Sequence, residues 1–125
     1  MKRIILDTNF LLIPLQSKVD IFAELQRICP FPYEVCILKQ TYDELESISK
    51  NARGRDKEAA QLGLKLLKAK DIKIIPGKPA LVDDILAELS QDPDVIVATQ
   101  DRALKHRLKH AKIVLRQKQY LALIE

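Results

Sequence analysis

The feature that most constrains this chain is a change of rhythm. Five short aliphatic runs, at residues 3–6, 33–38, 72–75, 94–98 and 112–115, have the length of buried strands. Between them the apolar residues recur at helical spacing. Phe22, Leu25 and Cys29 share one face behind Ser17 and Asp20, whose spacing is a helix-start signature, and Pro14 separates that helix from a short one after Asn9. Tyr42, Leu45 and Ile48 mark a second helix, and Ala60, Leu64 and Leu67 face inward from a third over residues 57–69. Val82, Ile85, Leu86 and Leu89 form the i, i+3, i+4, i+7 stripe of a fourth, and Leu104, Leu108 and Ala111 mark the last. Strands that alternate with helices need right-handed crossovers. The pattern therefore predicts a three-layer α/β/α sandwich around a mainly parallel sheet of about five strands. A chain of 125 residues is expected to form one domain over residues 1–125, since no connection reaches linker length.

Composition removes several function classes. No stretch approaches the ~20 apolar residues of a membrane span. Residues 1–6 faintly mimic a secretory signal, but Asp7 and Asn9 interrupt it, so a cytoplasmic protein with no membrane partner is expected. Cys29 and Cys36 are expected as reduced, buried thiols. With only Gly54, Gly63 and Gly77 there is no phosphate-cradling loop and no dinucleotide fingerprint. Three Phe, three Tyr and no Trp leave few platforms for stacking unpaired bases.

Acidic residues end two of the aliphatic runs. Leu6 leads directly to Asp7, and Val97-Ala98 leads through Thr99 and Gln100 to Asp101. In an open parallel sheet ligands bind beyond the carboxyl ends of the strands, where strand order reverses. If the two strands are central neighbours, the acids meet, and a divalent cation is the natural counter-charge for such a cluster. The competing reading makes each a helix N-cap, a position Asp favours. Glu44 stands on the same edge, although Thr41-Tyr42-Asp43-Glu44 also has the spacing of a capping box. Asp83 and Asp84 open the fourth helix, where its positive end accounts for one of them. Asp83 flanks the apolar stripe and Asp84 points away from it, which favours Asp83 as the inward group. The net charge is only +4, yet gathering four of the 17 acids around a metal would leave 21 Lys and Arg to dominate the remaining surface.

Taken in order, Leu6-Asp7-Thr8-Asn9, Tyr42-Asp43-Glu44-Leu45, Val82-Asp83-Asp84-Ile85-Leu86 and Val97-Ala98-Thr99-Gln100-Asp101-Arg102-Ala103-Leu104-Lys105 resemble the PIN-domain ribonucleases. The likeness runs the length of the chain. It is greatest for the small prokaryotic members, both VapC-like toxins and ribosomal-RNA-processing nucleases. The resemblance implies an endoribonuclease that uses one or two Mg²⁺ or Mn²⁺ ions. It implies catalytic and metal roles for Asp7, Glu44, Asp101 and either Asp83 or Asp84, with Thr8, Asn9 and Thr99 holding the acids or the attacking water. Gln100 stands where asparagine is usual. RNA is the implied substrate; an antitoxin protein, ribosome-assembly factors and a second copy of the chain are the implied partners. All-oxygen ligation suits such hard ions, which activate water at a phosphodiester without a side-chain nucleophile.

Basic residues supply candidate substrate contacts. Arg102, Lys105, Arg107, Lys109 and Lys112 are expected on one cationic helix face, with Arg102 and Lys105 nearest Asp101. Arg53 and Arg55 are expected in a mobile polar turn near the same sheet edge. His106 and His110 have zinc-like spacing but lack the accompanying glutamate, so they are assigned to the cationic face. Two other classes compete: a non-catalytic PIN-like scaffold, and a phosphotransfer or receiver domain, against which the acid spacing argues.

Overall fold

A computed structural model describes residues 1–125. Its centre is β1 (Lys2–Leu6), in which Ile4, Ile5 and Leu6 are all fully buried. A parallel strand covered on both faces reads as an unbroken aliphatic run, because either direction a side chain takes leads into a core. Ile4 and Leu6 enter the larger core with Phe10, Leu25 and Leu45, and Ile5 enters the smaller with Cys36, Val97 and Leu104.

The chain continues through α1 (Thr8–Leu11), α2 (Ile13–Gln16) and α3 (Ile21–Ile28) to β2 (Tyr33–Leu38), then α4 (Lys39–Asn51), α5 (Gly54–Ala69) and β3 (Lys73–Ile75). It returns by α6 (Val82–Leu89) to β4 (Val95–Ala98), then α7 (Arg102–Arg107), β5 (Lys112–Arg116) and β6 (Tyr120–Ile124). The sheet order is β3-β2-β1-β4-β5-β6, parallel throughout except for the last pair. The α1 to α5 segment supplies the larger core and α6 and α7 the smaller, which bears out the three-layer reading. No helix is long and apolar enough to cross a membrane. Cys29 and Cys36 are free and buried, and burial raises both thiol pKa values.

The sixth strand was not foreseen. Its hairpin turns through Gln117 and Lys118, both at φ 53, with neither glycine nor asparagine to mark the turn in the sequence. Glu24 and Arg27 of α3 secure it: the Leu121 N–H donates to the Glu24 carboxylate at 2.9 Å, and Arg27 donates to the Leu121 carbonyl at 3.0 Å.

Several helix ends differ from expectation, each for a local reason. Asp20, not Ser17, caps α3 by accepting the Ala23 N–H, while Ser17 closes α2, whose first turn tolerates Pro14. Helix α5 begins three residues early, at Gly54, which takes φ 63 after Arg53. Arg55 is thus helical rather than in a loop. Helix α7 stops at Arg107, and Leu108 returns to extended backbone, so Ala111 and His110 lie outside it. The expected single cationic face is therefore divided between α7, the following loop and β5.

Candidate active site

Strands β1 and β4 are neighbours in the sheet, with Leu6 opposite Ala98, and the Asp7 N–H donates to the Ala98 carbonyl at 2.9 Å. Strand order reverses between them, so the segments that follow leave the sheet in opposite directions and open a crevice. Asp7 and the Thr99–Asp101 segment stand at that crevice.

A chain of hydrogen bonds joins three acids from three parts of the sequence. Glu44 accepts the Thr8 hydroxyl at 2.9 Å, and the Thr8 N–H donates to Asp7 Oδ1 at 2.8 Å. Asp7 Oδ2 accepts the Thr99 hydroxyl at 2.8 Å, and that hydroxyl oxygen accepts the Asp101 N–H at 3.0 Å. Asp101 in turn accepts the Leu104 N–H at 3.0 Å and caps α7. Each aspartate is thus a helix N-cap, as the competing reading has it, and each also lines the crevice with the other. The capping box at Glu44 does not form. Helix α4 starts at Lys39, directly on β2, so Thr41 is already inside it, and its buried hydroxyl has no partner.

Asn9 fixes the opposite wall. Its side-chain oxygen accepts the Gln100 N–H at 3.1 Å, and its carbonyl accepts the Gln100 side-chain amide at 2.9 Å. The longer glutamine thus ties the β4–α7 segment to α1. Asp7, Thr8, Asn9, Glu44, Asp83 and Asp101 line one cavity of about 240 Å³, closed by Leu12, Ile48 and Val82. Nothing in the sequence marks Leu12 and Ile48 as cavity walls, because both have the spacing of ordinary core positions. Asp84 is set apart, its carboxylate 2.7 Å from the Arg107 guanidinium on α7.

The electrostatics are those of uncompensated negative charge. Burial pushes the Asp7 carboxyl above its ordinary pKa; the Thr99 and Thr8 hydrogen bonds pull it down, and the charges of Asp83 and Glu44 push it up again. Asp7, Glu44, Asp83 and Asp101 have no Lys, Arg or His within salt-bridge distance. The four line the cavity without closing on a point: no three acids are grouped tightly enough to cage an ion. An all-oxygen set around open volume fits a small hard cation that keeps several of its waters and takes few carboxylates directly.

The basic candidates are more dispersed. Arg102 and Lys105 lie on α7 behind Asp101, Arg102 exposed and Lys105 half-buried. Arg53 precedes α5 and is exposed, and Arg55 donates to the Leu15 carbonyl of α2 at 3.3 Å; neither lines the cavity. His110 turns to the Gln91 carbonyl, away from the acids.

A doubly wound parallel sheet with a carboxylate-lined crevice at its switch point defines a class of acidic-site α/β domains, and sequence comparison gives the class its name. Residues 4–118 match the family described as PIN-like domain, and the chain belongs to that family. Over 124 residues it is 34% identical to Ribonuclease VapC4 of Methanocaldococcus jannaschii, covering 96% of this chain and 95% of that protein. Among solved structures it is similar to the PIN domain endonuclease Utp24, with a TM-score of 0.74 and 26% identity over 97% of this chain and 90% of that one. The resemblance read from the four motifs is borne out.

Proposed function

We propose that residues 1–125 act as one PIN-like domain that hydrolyses RNA phosphodiester bonds endonucleolytically, with Mg²⁺ or Mn²⁺, one or two ions, at the carboxylate cavity. The observation that carries this reading is the hydrogen-bond chain from Glu44 through Thr8, Asp7 and Thr99 to Asp101, beside a cavity with no internal counter-charge. Asp7, Glu44, Asp83 and Asp101 would surround the ion, most of them through the waters it keeps. When bound, it supplies charge neutralisation at the phosphodiester and a lowered pKa for the attacking water.

The chain's own residues supply placement. Thr99 and Thr8 fix both oxygens of Asp7, which leaves its ionised form as the one that the hydrogen bonds favour against burial. Glu44 keeps one oxygen on Thr8 and the other available to the cavity. Asn9 and Gln100 hold the two walls together. Asp83 serves the cavity, and Asp84 stabilises the α6–α7 contact through Arg107. Arg102 and Lys105 bind the backbone of the substrate near Asp101, while Arg53 and Arg55 can engage only a substrate that extends over the α4–α5 tip.

The names of the relatives, a ribonuclease and an endonuclease, support RNA cleavage. The toxin and processing roles that the resemblance implies support an antitoxin or ribosome-assembly factors as partners, a second copy of the chain, and a cytoplasmic setting. The open spacing of the acids favours one rival reading, a PIN-like scaffold with no turnover.

A panel of RNAs incubated with Mn²⁺ tests the enzyme against the scaffold. Wild type should cut at least one RNA, with Asp7→Asn and Asp101→Asn folded, still RNA-binding and inactive. Equal activity in all three proteins would end the nuclease reading, and RNA binding without cleavage by wild type would establish the scaffold.

A further inference from the structure

We propose that Arg102, Lys105, Lys112 and Arg116 form one phosphate-binding cluster that seats the RNA backbone flanking the cleaved bond, on the β5 side of the acidic cavity. The proposal rests on the nuclease reading above and assigns it a substrate track that includes a strand, not only α7.

Sheet register places the cluster. Val97 lies opposite Lys112 and Ala98 opposite Ile113, and the Thr99 N–H donates to the Ile113 carbonyl at 3.2 Å. Because β5 runs parallel to β4, Arg116 at its end reaches the carboxyl edge of the sheet beside the segment that carries Asp101. Side chains alternate along a strand, so Lys112 and Arg116 share one face. Ile113 enters the larger core, on the opposite face, which puts Lys112 and Arg116 on the side covered by α7. The contact is direct, since the Lys112 ammonium donates to the Lys105 carbonyl at 3.0 Å.

Charge then identifies the occupant. None of the four has an acidic partner within salt-bridge distance, whereas the neighbouring Arg107 is committed to Asp84. Burial lowers the Lys105 pKa, and the charges of Arg116, Lys112 and Arg102 lower it further, with Asp101 alone opposing them. Cations collected without internal neutralisation are stabilised when a polyanion releases its counterions onto them. A phosphodiester strand whose scissile bond lies at Asp101 delivers its next phosphates there. An acidic protein segment would meet the charge requirement but has no reason to continue into a cavity of carboxylates.

The test is a Lys112→Gln/Arg116→Gln double variant, with Lys68→Gln on the exposed side of α5 as a control outside the cluster. Fluorescence anisotropy with a labelled single-stranded RNA in EDTA, across a salt series, reads binding without cleavage. Two lost phosphate contacts should weaken binding roughly tenfold and flatten the slope of log K against log salt by about 1.4. With Mn²⁺, KM should rise by a similar factor with kcat nearly unchanged. Affinity and salt slope equal to wild type would overturn the cluster even if cleavage is intact, and so would a control as weak as the double variant. If wild type cleaves nothing while the double variant still loses RNA affinity, the cluster stands and the nuclease reading falls.

Discussion

Replacing Thr99 by valine separates the role of its hydroxyl from that of its volume. Thr99 is fully buried, and its oxygen makes two bonds, donating to Asp7 at 2.8 Å and accepting from the Asp101 N–H at 3.0 Å. Valine fills nearly the same space, so no cavity contribution enters. A hydrogen bond to an ionised group contributes about 1.5–3 kcal/mol, and a buried N–H left without a partner costs about 1–3 kcal/mol. Taking the lower part of both ranges, Thr99→Val should destabilise the metal-free protein by about 3 kcal/mol at neutral pH, or roughly 10 °C in Tm. The deficit must also depend on pH. Asp7 already has a folded pKa above its ordinary 3.8, and the Thr99 bond is the largest influence holding it down. A raised carboxyl favours folding fully below its unfolded pKa, and that advantage is lost as pH rises through the folded value. Without the hydroxyl the folded value climbs further, so the variant should lose more than wild type between acid and neutral pH. Thermal unfolding in EDTA from pH 3.5 to 8 measures this, and the acid limb of the activity profile should move to higher pH. A Tm within 2 °C of wild type at pH 7, or a deficit constant across that range, would refute the reasoning.

Asp7→Asn removes the buried charge itself, so in EDTA at pH 7 its Tm should exceed that of wild type, with the gain vanishing in acid where Asp7 is neutral; Mn²⁺ should stabilise wild type and not the variant. A Tm lowered equally at both pH values would deny that burial raises this group. Asp83→Asn should reduce kcat/KM about 100-fold, whereas Asp84→Asn should stay near wild type, because its pair with Arg107 is half exposed and contributes no more than about 1 kcal/mol. Steady-state kinetics on the two proteins decides, and equal losses would place both acids at the cavity. Gly63→Ala should destabilise by about 1–3 kcal/mol, since the added carbon would lie 2.8 Å from the Leu11 carbonyl oxygen, a backbone atom that cannot rotate away. Urea unfolding with an unchanged midpoint would show that α5 can withdraw from α1.

What was legible in the sequence follows from which forces are local. Ile4, Ile5 and Leu6 announce a strand buried on both faces because nothing but burial tolerates that run, and the helical stripes are legible for the same reason. The β6 hairpin was hidden because its turn uses Gln117 and Lys118 at positive φ, a choice held by Glu24 and Arg27 from a distant helix. Helical phase favours Asp83 over Asp84 as the inward group without deciding between them, and it is Asp83 that lines the cavity while Asp84 pairs with Arg107. Glu44 could not be decided locally, because its spacing from Thr41 fits a capping box. Only the junction of α4 directly onto β2 shows that Thr41 is not at a cap.

The two aspartates illustrate why cap and site coincide here. An N-cap carboxylate is held by the first N–H groups of its helix, and that hold is what fixes its direction. Asp7 and Asp101 each spend one oxygen in this way, on the Thr8 and Leu104 N–H groups. Thr99 then takes the second oxygen of Asp7 and the backbone of Asp101 at once, so the register of β4 against β1 sets the distance between the acids. The arrangement resists collapse: carboxylates free to rotate would turn outward to water and away from one another, lowering the repulsion that Asp83 and Glu44 impose on Asp7. Folding free energy therefore maintains the negative cavity, and on the proposed reading a cation would draw its affinity from the release of that same repulsion.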